Sequence, residues 1–121
     1  MGVTRGPNLF GPDAKRRGEE WCEELFCAPG IRFERILSEG ERSPDGFWYD
    51  QPENEWLILI EGEAEIETEE GRLRLGAGDS LFLPAHFRHR VAATSAEPRC
   101  LWLCCFWKED GAPQGSAPRR T

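Results

Sequence analysis

Apolar and polar residues alternate with a period of two through most of the chain, which is the pattern of β-strands that bury one face. Residues 63–68 show it most clearly, because alanine, isoleucine and threonine alternate there with three glutamates. In the next segment, residues 72–75, two arginines alternate with two leucines. An acidic face can therefore meet a basic face across these two strands, which is a favourable cross-strand arrangement.

The same alternation predicts about eight short strands, separated by turns rich in glycine and proline. The expected strands are residues 31–37, 46–51, 56–61, 63–68, 72–75, 80–83, 88–94 and 99–107. Short strands at this spacing, with turn residues between them, indicate an antiparallel β-barrel or sandwich. The predicted fold class is therefore all-β.

One segment departs from the period of two. In residues 19–26, Trp21 or Cys22 shares a face with Leu25 and Phe26 at helical spacing, and the proline and glycine that follow would end a helix. We therefore expect one short N-terminal helix. The expected domain organisation is an arm with this helix over residues 1–29, a barrel over 30–108 and a disordered tail over 109–121.

The last predicted strand, residues 99–107, is apolar on both faces. One face carries Cys100, Trp102, Cys104 and Phe106, and the other carries Leu101, Leu103, Cys105 and Trp107. Because neither face suits water, a second layer or another subunit must cover the outer one. The N-terminal helix is one candidate cover, and a homodimer is the preferred one.

Composition narrows the classes of partner and location. The 121 residues suffice for one domain, and 15 Lys+Arg against 22 Asp+Glu give a net charge of −7. That charge disfavours binding to nucleic acid or an anionic membrane. Residues 1–17 lack the apolar core of a signal peptide, and the five cysteines are an odd number. We expect a soluble cytoplasmic protein with reduced thiols.

Two ionisable side chains are predicted to enter the barrel interior from different strands. His89 shares its face with Val91, and Glu55 shares its face with Leu57. A buried carboxylate must be paired, protonated or bound to a metal, and a facing imidazole is its simplest partner.

These residues lie in two partial motifs that resemble those of the cupin superfamily of small β-barrels. The first family motif has the form G-x5-H-x-H-x3-4-E-x6-G, and Glu55 and Gly62 match its second half. The second has the form G-x5-P-x-G-x2-H-x3-N, and Gly78, Pro84 and His89 match it. The resemblance covers residues 31–107 and implies a double-stranded β-helix, or jelly-roll, barrel.

The chain departs from the family pattern at the first-motif histidines. With the three-residue spacing, Tyr49 and Gln51 stand at those two positions, whereas the four-residue spacing places Trp48 and Asp50 there. His86 occupies the place of the second motif's glycine. Loss of both first-motif histidines argues against the iron dioxygenase chemistry that uses them in the family.

The resemblance implies a divalent transition metal, such as zinc, nickel, manganese or iron. Its ligands would be Glu55 and His89, completed by Gln51 or Tyr49 and by His86 if that side chain turns inward, and Tyr49 would act as catalytic acid or base. Such a mixed nitrogen and oxygen set discriminates poorly among these metals. In the alternative interpretation, Glu55 and His89 form a buried polar pair without metal, Tyr49 caps it with a hydrogen bond, and His86 lies on the surface.

Three functions follow from these alternatives. The first is a metal-dependent enzyme acting on a small molecule, the second is a ligand-binding or sensing barrel without turnover, and the third is a structural dimer with no metal. The first is preferred, because burying an inward glutamate and histidine is costly if packing is their only purpose. The expected partner is a small-molecule ligand bound in the barrel.

Overall fold

Eight β-strands form the protein in the computed structural model, which describes residues 2–109. They are β1 (Trp21–Ala28), β2 (Ile31–Ser38), β3 (Asn54–Glu61), β4 (Ala64–Thr68), β5 (Gly71–Leu75), β6 (Ser80–Leu83), β7 (His89–Thr94) and β8 (Cys100–Trp107). Within the described range, no helix is long and apolar enough to cross a membrane. The expected tail lies, apart from its first residue, outside the described residues.

The strands assemble into two facing antiparallel sheets. One has five strands in the order β1-β2-β8-β3-β6, and the other has three in the order β5-β4-β7. Inward-facing apolar side chains of both sheets form the core, as the period-two pattern predicts. Its buried members are Leu57, Leu59, Ala64, Ile66, Leu75, Leu83, Cys100, Trp102, Cys104 and Phe106. The all-β jelly-roll prediction is confirmed.

The predicted N-terminal helix is wrong, because residues 21–28 form the edge strand β1 instead. Trp21 pairs with Leu37 and Ala28 with Ile31 along the whole length of β2. A helix of eight residues is marginal by itself, whereas the open edge of β2 offers a ladder of backbone hydrogen bonds. Tertiary pairing therefore overrides the helical spacing of the apolar residues in this segment.

The predicted strand over residues 46–51 is also wrong, since this segment is a loop with a single bridge between Tyr49 and His89. The guanidinium of Arg90 donates hydrogen bonds to the carbonyl oxygens of Ser43 and Pro44 at 2.9 and 3.2 Å and of Phe47 at 3.2 Å. These bonds hold the chain in a curved path, which prevents it from extending along a neighbouring strand.

The expected meeting of acidic and basic faces on the three-stranded sheet is confirmed. Arg72 on β5 lies 3.2 Å from Glu65 and 3.8 Å from Glu67 of β4. From the other side, Arg90 of β7 lies 3.0 Å from Glu67. The outer face of this sheet is therefore charged and solvated.

The outer face of the five-stranded sheet is partly covered by the N-terminal arm, residues 2–20. The buried guanidinium of Arg35 on β2 donates hydrogen bonds to the carbonyl oxygens of Leu9, Gly11 and Pro12 at 2.9, 3.0 and 2.5 Å. Arg35 pairs with Leu103 of β8, so the arm crosses next to the apolar last strand. An extended arm thus takes the covering role that the sequence suggested for a helix.

Homodimerisation remains a prediction. It can be tested at the exposed residues on the outer face of the five-stranded sheet. Phe26, Trp56 and Phe82 are 58%, 36% and 39% exposed there. A Trp56→Glu substitution would place a carboxylate in the expected interface, so we expect sedimentation analysis to show the parent at twice 13.8 kDa and the variant at 13.8 kDa. Leu73→Glu, on the three-stranded sheet and 43% exposed, is the control that should remain dimeric. A parent that is monomeric up to about 100 μM would contradict the prediction.

Candidate functional site

A cavity of about 210 Å³ opens between the two sheets. Its apolar lining comes from Ile36, Leu57, Ile66, Val91, Trp102 and Phe106, and its polar or ionisable lining comes from Glu20, Cys22, Arg32, Glu34, Tyr49, Gln51, Glu55, His89 and Cys104. A pocket with an apolar wall and a few convergent polar groups is the usual form of a small-molecule site. We call this cavity the barrel pocket.

Glu55 lies near the start of β3, where alternation turns its side chain inward beside Leu57. Its carboxyl group is only 9% exposed, and its Oε1 accepts a hydrogen bond from Nε2 of Gln51 at 3.2 Å. Burial raises the pKa of Glu55 from its ordinary value of 4.5 to about 7, since the charged form loses its hydration. Near neutral pH this carboxyl group is therefore protonated in some molecules and ionised in others.

His89, the first residue of β7, faces Glu55 across the barrel pocket. Its side chain is 6% exposed, and its Nε2 lies 3.7 Å from Oε1 of Glu55. Nδ1 lies 2.9 Å from the carbonyl oxygen of Phe87, which only accepts, so Nδ1 carries the proton. Burial lowers the pKa of His89, so the ring is neutral at pH 7 and Nε2 is a bare acceptor. No atom of the described chain donates a hydrogen bond to it.

Tyr49 packs over the histidine from the loop before β3. Its ring stacks on the imidazole of His89 with centroids 5.2 Å apart, and the two backbones exchange hydrogen bonds of 2.7 and 3.2 Å. Burial raises the pKa of the Tyr49 phenol, so the hydroxyl stays protonated at neutral pH. Tyr49 thus covers His89 by ring stacking and not by the hydrogen bond expected of a cap, and its catalytic role stays a prediction.

The predicted site residues do not all meet. Glu55, His89, Gln51 and Tyr49 line the barrel pocket, whereas His86 does not. The His86 side chain is 67% exposed, and its Nδ1 lies 2.7 Å from Oδ1 of Asp50 on the surface. His86 also has a positive φ of 65°, in the turn before β7. Because His86 and His89 are three positions apart, alternation places their side chains on opposite faces, and in the structure only that of His89 lines the pocket.

Sequence reasoning missed several ionisable residues that line the barrel pocket. Arg32 and Glu34 lie two residues apart on β2, on the same face as Ile36, so the period of two within the predicted strand was a usable signal for them. Glu20 and Cys22 were hidden because their segment was interpreted as helical. Cys104 was assigned to one face of the last strand, but nothing in the sequence indicated that this face lies against Glu55.

The charges around the barrel pocket are mainly negative. Arg32 is the one lysine or arginine among its lining residues, and it lies 2.8 Å from Glu34 and 2.5 Å from Glu53. Burial, together with the neighbouring carboxylates Glu20 and Glu34, raises the pKa of the Cys22 thiol to about 11. The thiol therefore stays neutral in a pocket that already disfavours added negative charge.

Two facing antiparallel sheets around one buried pocket define a single-domain jelly-roll barrel. A protein-family model described as "Cupin domain" matches residues 34–106. The chain therefore belongs to the cupin family, and the resemblance drawn from the two partial motifs is confirmed. No curated protein matches the chain.

Solved structures with the same fold include one with substantial sequence identity. A "putative mannose-6-phosphate isomerase" from Ralstonia eutropha JMP134 is 37% identical, with a TM-score of 0.81 over 88% of this chain and 100% of that one. KdgF from Halomonas sp. is 18% identical, with a TM-score of 0.70 over 91% and 97%. A cupin superfamily protein from Desulfitobacterium hafniense DCB-2 is also 18% identical, with a TM-score of 0.67 over 79% and 84%. The last two support the fold alone.

The residues present form an incomplete donor set for the metal that the family implies. Glu55 and His89 are the two conventional ligands that face each other, and the amide nitrogen of Gln51, not its oxygen, points to Glu55. Within residues 2–109, no group of three or more His, Cys, Asp or Glu side chains is arranged to hold a metal ion. Catalytic metal sites ordinarily use three protein ligands, so a metal does not fit this pocket well.

Proposed function

We propose that this cupin binds a small organic molecule in the barrel pocket through Glu55 and His89, without requiring a metal. The observation that carries the proposal is Nε2 of His89, which accepts no hydrogen bond within residues 2–109 and is buried next to a carboxyl group and an apolar wall. A buried acceptor without a partner is costly, and a bound ligand that donates a hydrogen bond removes that cost. The cavity of about 210 Å³ equals roughly seven waters of liquid volume, which limits the ligand to a compact molecule.

The pocket also contains a group that can exchange a proton with a bound ligand. With a pKa of about 7, Glu55 is close to half protonated at neutral pH, which suits general acid or base chemistry. The neutral Nε2 of His89 beside it can accept a proton. These two groups make the pocket compatible with proton transfer as well as with simple binding.

A metal-dependent enzyme is the second candidate function. Family membership and the facing of Glu55 and His89 favour it, and the incomplete donor set opposes it. A cytoplasmic location is part of both proposals, and it is supported by the five cysteines, all of which are free thiols.

Ligand binding is expected to change the side-chain NMR signals of one histidine only. The chain has two histidines, so His89 in the pocket and the exposed His86 act as probe and internal control. In a screen of fragments below about ten non-hydrogen atoms, a pocket ligand should shift the ¹⁵N signal of His89 Nε2 and leave His86 unchanged. A screen in which no fragment moves the His89 signal would contradict the proposal.

Elemental analysis separates the two candidates. We expect tag-free protein to contain well below about one equivalent of any transition metal, and its melting temperature to be insensitive to EDTA, because two ligands hold a metal weakly. About one equivalent in the parent and in His86→Ala, but not in His89→Ala, would instead establish a metal centre that uses His89.

A further inference from the structure

We propose that the ligand of the barrel pocket is cationic, such as a small primary amine, and that the pocket rejects phosphorylated and carboxylated molecules. This inference rests on the proposed function, since it names the chemical class that the same pocket takes. It follows from the hydrogen-bonding atoms of the pocket, from the balance of its charges and from the shape of its apolar wall.

Two hydrogen-bond acceptors lie side by side in the pocket. Nε2 of His89 has no hydrogen-bond partner within the described chain, and Oε1 of Glu55, which already accepts a hydrogen bond from Gln51, lies 3.7 Å from it. A hydroxyl group carries one donor hydrogen, so it can satisfy only one of the two acceptors. A primary ammonium carries three, so a single nitrogen between them can donate to both at once.

The lining charges favour a cation over an anion. Three carboxyl groups line the pocket, those of Glu20, Glu34 and Glu55, against the single guanidinium of Arg32. That guanidinium is already bound by Glu34 and by Glu53, so it has little positive charge to offer an entering phosphate. A buried anion would meet the carboxyl groups of Glu20 and Glu55, which no lysine or arginine of the lining pairs, whereas a buried ammonium would be paired with Glu55.

Packing as well as charge makes Arg32 a poor receptor for an anion. Its guanidinium carbon lies 4.3 Å from the centre of the Phe106 ring, which is a cation–π arrangement on the pocket wall. A phosphate could reach only the N–H groups that Glu34 and Glu53 leave free, and it would meet those two carboxylates beside them. The solved relative whose name includes mannose-6-phosphate isomerase implies a phosphorylated sugar, so the charge of the ligand distinguishes that substrate from the class proposed here.

The pocket also offers the ligand an apolar wall. Leu57, Ile66, Val91, Trp102 and Phe106 are among its lining residues. A ligand with an ammonium at one end and a compact apolar body at the other would pair with Glu55 and bury that body at the same time. Benzylamine has this form and eight non-hydrogen atoms, so it suits a cavity of about 210 Å³.

Three probes with one carbon skeleton test the inference by calorimetric titration at pH 8, where Glu55, with a pKa of about 7, is mostly ionised. They are benzylamine, benzyl alcohol and benzoate, and mannose-6-phosphate is titrated beside them. We expect benzylamine to bind at least about tenfold more tightly than benzyl alcohol, and the two anions at least about tenfold more weakly than the alcohol. Glu55→Gln should remove the preference for the amine, and the charge-matched control Glu61→Gln, at an exposed position, should keep it.

The possible results distinguish a wrong ligand class from a wrong proposed function. If benzoate or mannose-6-phosphate binds as tightly as benzylamine and shifts the His89 signal, the pocket is a ligand site but its cationic preference is wrong. An amine preference that survives in Glu55→Gln also overturns the inference, because the cation would then be bound elsewhere. If none of the probes binds, the cationic ligand class is wrong, and the fragment screen followed by the His89 signal decides the proposed function separately.

Discussion

Replacing Gly62 with alanine is expected to lower the free energy of unfolding by about 3 kcal/mol, from backbone strain and overpacking together. Gly62 lies in the turn between β3 and β4 with a φ of +97°, a conformation that side chains disfavour. An added Cβ would lie 2.7 Å from Sγ and 2.9 Å from Cα of Cys100, and 2.9 Å from the carbonyl oxygen of Arg99. Two of these atoms are backbone, so the clash cannot be relieved by rotating a side chain. Urea denaturation followed by tryptophan fluorescence measures the loss.

Gly78→Ala is the matched control for this substitution. Gly78 has a φ of +93°, but nothing lies within 4 Å of its added Cβ. It should therefore show the backbone strain alone, at about 1 kcal/mol. Equal losses in the two variants would mean that close approach to β8 is not what requires glycine at position 62. The comparison thus assigns separate physical reasons to two glycines that both match family motifs.

Glu55→Gln is expected to change the free energy of unfolding in the stabilising direction by about 3 kcal/mol more at pH 8 than near pH 4. The folded-state pKa of Glu55 is raised from 4.5 to about 7, and each unit corresponds to about 1.4 kcal/mol. Folding therefore favours the protonated carboxyl group. Its contribution to stability is fully present below about pH 4.5 and is lost as the pH rises towards 7. Glutamine resembles the protonated carboxyl group and does not ionise, so the variant keeps that contribution as the pH rises.

The measurement is the difference in unfolding free energy between parent and variant at several pH values, not the pH profile of the parent alone. His89 acts in the opposite direction, because its lowered pKa makes stability fall as the pH drops below about 6.5. Subtracting the Glu55→Gln profile isolates the glutamate, and Glu61→Gln, at an exposed position, should show no comparable trend. A parent–variant difference that stays constant from pH 4 to pH 8 would mean that folding does not change the pKa of Glu55.

Both predictions depend on the same property of the barrel, its tightly closed inner face. Leu59 and Cys100 are completely buried, and Leu57 is 3% exposed, so neither an extra methyl group at Gly62 nor a charge at Glu55 is easily accommodated. The barrel pocket is the part of this interior that remains open to a ligand.

The inward pairing of Glu55 and His89 was predictable from the sequence. In a strand each residue alternates sides, so a polar residue two positions from a buried one must enter the same interior. Two partial motifs in the right order then indicated that the two strands belong to one barrel. By the same parity His86 points away from His89, and its pairing with Asp50 on the surface follows from a turn that alternation does not describe.

Alternation along the chain by itself determined the all-β class, the positions of seven of the strands and the two inward-facing ionisable groups, because side-chain parity is a local property. Only the tertiary structure decided that residues 21–28 are a strand, that residues 46–51 are a loop and that Arg32 is engaged by two carboxylates. The first depends on a free sheet edge, the second on the guanidinium of Arg90 and the third on the approach of Glu53 from another segment. The first is a hairpin between adjacent segments, and the other two are contacts between residues distant in sequence. In each case the contact outweighs the weak local preferences that a sequence pattern expresses.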